Sequence, residues 1–156
     1  MNTNPINTSA AFSGNAQRLL YGRYGDPRTQ GWENKWMTRW EIRKEFSWFP
    51  AAAIYIHKDF KPKLTAAFHE LEAKGLHHEI KSFDGAFNIR YVRGSNSALS
   101  VHSWGAAIDM NAPENPLGTA GKWSQAFLET MLVNGIFCGQ NWVGRKDPMH
   151  FALVNG

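Results

Sequence analysis

Two short polar clusters lie far apart in the chain. One is Ser100-Val-His102-Ser-Trp104-Gly105-Ala-Ala107-Ile-Asp109; the other is Asp147-Pro-Met-His150-Phe151. Together they offer two imidazoles and two carboxylates, each set beside apolar residues that look like strand. That is the ligand set and general base of a hydrolytic zinc site. Such a site takes three N/O/S protein ligands and keeps one position open for water.

Spacing within each cluster carries geometry. His102 and Asp109 are too far apart for neighbours on one strand and badly phased for one short helix. Gly105 predicts a turn between them, with His102 on a loop or bend and Asp109 on a short strand, 106–110. Pro148 lacks an N–H and resists the middle of a sheet. Asp147 is therefore expected just outside a strand of residues 150–154. It could then overhang the metal without ligating it, where a base takes a proton from water.

The pattern S-x-H-x-x-G-x-A-x-D followed by D-x-M-H-F resembles the zinc peptidases that cut bacterial cell-wall peptides. These are the D-alanyl-D-alanine carboxypeptidases (VanY-like and VanX-like) and the L-alanyl-D-glutamate endopeptidases of phage endolysins. The resemblance covers roughly Phe87 to Phe151, and Tyr24-Gly-Asp-Pro27 is similar to phage members. It implies that His102, Asp109 and His150 bind Zn²⁺ and that Asp147 is the catalytic base. It also implies an arginine in the Arg90–Arg93 region that holds substrate or the oxyanion. Both stay open, with a slight preference for Arg93, which a bulge at Gly94 could re-aim. Many relatives carry Trp-Gly-Gly-x-Trp before the last motif, where this chain has Cys138-Gly139-Gln140-Asn141-Trp142; many have Glu where Ala152 stands. These departures bear on substrate preference more than on metal binding.

Ser100 is expected to orient His102 or the backbone. Trp142 and Trp104 are candidate cleft walls for substrate, with core packing an equal reading for Trp104. His57, His69, His77 and His78 fall in no ligand pattern. His77 and His78, if on a strand, would point to opposite faces. Cys138 is the only cysteine, so no internal disulfide can form. A small buried thiol is its expected role, ahead of a nucleophile.

The elements that must position these groups read as α+β: a small antiparallel sheet carrying the site, flanked by helices, in a single domain. Leu64, Ala67, Phe68 and Leu71 make one apolar face of a helix over 59–74, stopped by Gly75. Ser124 is a plausible N-cap for a second helix to Asn134 that buries Phe127, Leu128, Met131 and Leu132. Residues 53–57, 79–83 and 87–92 read as strands. Trp32, Trp36 and Trp40 recur at helical spacing. Pro113 to Gly121 is a loop that could border the cleft. Residues 1–22 read as an N-terminal arm and 23–156 as the peptidase domain.

The 156 residues suit one core, and 43% of them are hydrophobic. The net charge is +4 and the pI about 9.3, which favours anionic partners such as cell envelopes. No zinc-finger spacing, RNA-binding aromatic signature or arginine-rich tail points to nucleic acid. No stretch approaches the roughly 20 apolar residues of a membrane helix. The first residues lack a basic, then apolar, leader. The expected partner is the peptidoglycan stem peptide, the expected state a monomer. The expected location is the host cytoplasm before holin-type release, or a virion. A non-catalytic, zinc-stabilised wall-binding or virion protein is the rival class.

Overall fold

The two apolar faces expected at 59–74 and 124–134 are the backbone of the structure, a computed structural model that describes residues 11–12 and 14–156. The longer helix, Phe60–Ala73, buries Phe60, Leu64, Ala67, Phe68 and Leu71. Pro62 sits in its first turn, where a missing N–H costs nothing. The second, Gln125–Val133, is capped by Ser124, whose Oγ accepts from Phe127 N at 3.1 Å. It buries Phe127, Leu128 and Met131, but Leu132 is exposed, contrary to expectation.

In chain order the elements are α1 (Asn15–Tyr24), α2 (Trp32–Trp36), β1 (Met37–Trp40), β2 (Ile54–His57), α3 (Phe60–Ala73), β3 (Phe83–Gly85), β4 (Ala107–Met110), α4 (Gln125–Val133), β5 (Phe137–Gly139) and β6 (Asp147–Ala152). Short 3₁₀ turns cover Ile42–Lys44, Leu76–Glu79 and Val101–Trp104. β1 and β2 form a two-stranded antiparallel sheet; the other is four-stranded and antiparallel, in the order β3-β4-β6-β5. The architecture is α+β, as expected. Phe46, Phe49, Phe60, Phe68, Trp104, Phe127 and Phe151 are fully buried at its centre. Among the described residues no helix is long and apolar enough to cross a membrane.

Several expectations need correction. The tryptophan stripe is broken: α2 ends at Trp36, and Trp40 lies on β1, where pairing with β2 takes over. Residues 79–83 are not a strand: Glu79 ends a 3₁₀ turn, 80–82 are irregular, and only Phe83 enters β3. Residues 87–92 are not a strand, apart from one bridge between Tyr91 and Leu99. Their backbone is used locally: Asn88 N donates to His102 O, Arg90 N to Ser103 Oγ, and Ser100 N to Arg90 O. Asp147 and Pro148 lie inside β6, not before it. The ladder shifts register between Cys138 and Gly139, and Pro148 falls in that irregularity.

Of the arm expected at 1–22, residues 1–10 and 13 lie outside the described residues. α1 crosses its expected end, with Leu20 fully buried, so residues 15–22 pack as part of the domain.

Candidate active site

β4 and β6 are neighbours, and their register sets Asp109 directly opposite His150. Paired residues on adjacent strands project to the same face. His102 reaches them from the Val101–Trp104 turn. Ser100 Oγ accepts from His102 N at 3.2 Å and starts that turn, which fits its expected orienting role. Gly105 ends it at φ 64, a backbone position that L side chains avoid. A Cβ there would also run into Met37 and the backbone N of His57.

His102 Nε2 lies 3.3 Å from Asp109 Oδ1, and His150 Nδ1 lies 3.8 Å from the same oxygen. The three ligand atoms all fall within 4.8 Å of one another. Each imidazole turns its other nitrogen outward to a carbonyl. His102 Nδ1–H donates to Ala86 O at 2.6 Å; His150 Nε2–H donates to Gly156 O at 2.8 Å. A carbonyl can only accept, so each neutral ring keeps its proton outside and presents a bare lone pair inward. This is the outer support that metal-binding histidines use. Asp109 Oδ1 is buried and has no hydrogen-bond partner among the described residues. The 3.3 Å approach is an ion pair only if His102 takes a second proton. With neutral rings, three electron-pair donors converge on one point, a set that a divalent cation would satisfy.

Burial pushes the His150 imidazole down to about 4, with the neighbouring His102 adding to it. At neutral pH His150 is therefore uncharged and able to ligate a cation. Burial alone would raise Asp109; His102 and His150, in their protonated forms, and Arg90 outweigh it and hold the carboxyl below its usual range. Asp147 goes the other way. Burial, then the negative Asp109, raise it, while His102, Arg145 and Arg93 partly offset them. Its Oδ1 is also buried and has no hydrogen-bond partner among the described residues. Gly139 permits this placement, since a Cβ there would run into the Asp147 carbonyl.

A cleft of about 1000 Å³ is lined by all four of these residues and by Trp142. Trp142 lies 5.3 Å from the His150 ring, centroid to centroid, and is half-buried. Arg90, Arg93 and Ser100 also line the cleft, and the loop after β4 borders it through Pro116 and Leu117. A second, smaller cavity of about 270 Å³ shares Arg90, His102 and Asp109 and extends toward Phe87. Trp104 is not a cleft wall. It is fully buried, donates Nε1–H to Gly25 O at 2.9 Å and packs against Phe12. Cys138 is buried, and burial pushes its thiol up to about 12, which disfavours the thiolate that a nucleophile needs.

The carbonyls of Ala86 and Gly156 went unread in the sequence, and backbone acceptors leave no residue-type signal there. Arg145 was also missed. It lines the same cleft, and a cation two residues before Asp147 was the available clue.

A family model described as D-alanyl-D-alanine carboxypeptidase matches residues 93–153. The matched segment contains His102, Asp109, Asp147 and His150, begins at Arg93 and leaves Arg90 outside. It supports the family that the sequence resembles, and with it a peptidase. No curated protein matches the chain.

Proposed function

We propose that the chain is a zinc-dependent peptidoglycan peptidase of phage endolysin type, cutting an internal stem-peptide bond such as L-Ala–D-Glu. The observation that carries this reading is the convergence of His102, Asp109 and His150 within 4.8 Å, with both imidazoles' outer nitrogens tied to carbonyls. Zn²⁺ held by these three residues would lower the pKa of water toward about 7 and polarise the scissile carbonyl. Asp147 takes a proton from the attacking water at a carboxylate oxygen. It passes that proton to the leaving amine nitrogen as the C–N bond breaks. Its raised proton affinity suits both halves of that transfer. Arg90 borders both cavities beside His102 and Asp109, which favours it for the developing oxyanion. Arg93 acts on the Asp147 side. Trp142 walls the substrate against His150.

An internal bond is favoured because two cavities meet at Arg90, His102 and Asp109, leaving room for substrate on both sides of the cut. Removal of terminal D-Ala is the second reading, favoured by the description of the matching family. Mass spectrometry of digested peptidoglycan separates them: new N-terminal D-Glu supports the endopeptidase, released D-Ala the carboxypeptidase. Delivery to the wall by a holin or a virion belongs to the same proposal.

A further inference from the structure

Resting on the peptidase reading, we propose that Arg145 selects stem peptides that carry a free carboxylate beside the cleaved bond. Arg145 stands on the β5–β6 loop and lines the large cleft with Arg90 and Arg93. Its Nη2 donates to Arg93 O at 2.9 Å, so the side chain bridges from its own loop to the one around Gly94. The guanidinium lies over Gly94, where a Cβ would be in ordinary contact with Arg145 Nη1 at 3.7 Å and where φ is 85. One corner of the fork is thus anchored. Among the described residues its other N–H groups make no hydrogen bond.

Charge balance points to what they await. None of Arg90, Arg93 and Arg145 forms an ion pair with a carboxylate among the described residues. Asp147 feels Arg145 and Arg93 but lies outside ion-pair reach of both. The cleft therefore presents three cations that no carboxylate pairs directly among the described residues. A planar guanidinium matches a carboxylate through two parallel hydrogen bonds. Because the Arg93 carbonyl already restrains it, Arg145 loses less freedom on binding than an unanchored side chain would. The α-carboxylate of a D-Glu residue is a group of this kind next to the proposed cut.

The test uses two synthetic stem peptides, identical except that one carries the D-Glu α-carboxylate and the other the carboxamide. Hydrolysis is measured on zinc-loaded protein, and binding by calorimetry in an Asp147→Ala background. The unmodified chain is expected to prefer the acid by about tenfold in both readouts. In Arg145→Ala the acid-to-amide ratio falls to near one, chiefly through KM; in Arg145→Lys it is intermediate. A ratio unchanged by Arg145→Ala, or no preference in the unmodified chain, overturns the proposal. Binding of the acid without cleavage of either peptide overturns the peptidase reading and leaves the Arg145 assignment standing; binding of neither overturns both.

Discussion

Asp109 and His150 are direct partners across the β4–β6 ladder, with Oδ1 and Nδ1 3.8 Å apart. One strand register thus brings together two donors from residues far apart in sequence. Asp109→Asn and His150→Ala should each lower the zinc content of purified protein by roughly tenfold or more while keeping the fold, as seen by elemental analysis and circular dichroism. Full occupancy in both variants would show that the ion sits elsewhere.

Asp147→Ala should retain zinc and lower kcat by about 10²–10⁴-fold, the usual range for a general acid–base residue. Loss of metal as well would make Asp147 a ligand and favour the non-catalytic class.

The pH profile has a defined sign. A base must be ionised, and Asp147 is held above the ordinary carboxylate range by burial and Asp109. Activity should rise with pH through a point above that range. Arg93→Ala removes a cation that lowers this value, so the acid limb should move to higher pH. A limb that moves the other way would contradict the assignment.

Trp104 and Trp142 should separate cleanly. Trp104→Ala empties a fully buried site and should cost about 3–5 kcal/mol in denaturant unfolding. Trp142→Ala should remain stable and raise KM. If Trp142→Ala left KM unchanged, its place as a cleft wall would be lost.

His57 governs a separate stability term. It is buried against Tyr24 and Trp36, its Nδ1 accepts from Asp59 N at 3.0 Å, and burial pushes it down to about 4. The folded state thus resists protonation that the unfolded chain accepts near pH 6.5. Its stabilising contribution is full above that pH, falls as pH drops toward about 4, and levels off below. The loss should be on the order of 2 kcal/mol after solvent screening, and His57→Phe should remove it. Identical pH–melting curves for the two proteins would count against this.

The convergence of His102, Asp109 and His150 was legible because donor type and spacing survive in the sequence. α3 and α4 were legible because their apolar faces repeat at helical period and Ser124 is a capping residue; α1, read as part of an arm, was not. Tertiary context hid the rest. Trp32, Trp36 and Trp40 fit a helical period, but residues 37–40 gain a strand partner at 54–57. Residues 87–92 have strand composition, yet their polar backbone wraps the His102 turn. Pro148 argued against a strand by a sound rule, and the β5–β6 register shift is the permitted exception.

The carbonyl that steadies His150 belongs to Gly156, and a Cβ on Gly156 would strike Ala16 of α1. α1 is thereby a buttress for an imidazole contributed by β6. Trimming the protein down to its motif-bearing half would release that imidazole to swivel, so a minimal catalytic fragment must keep α1.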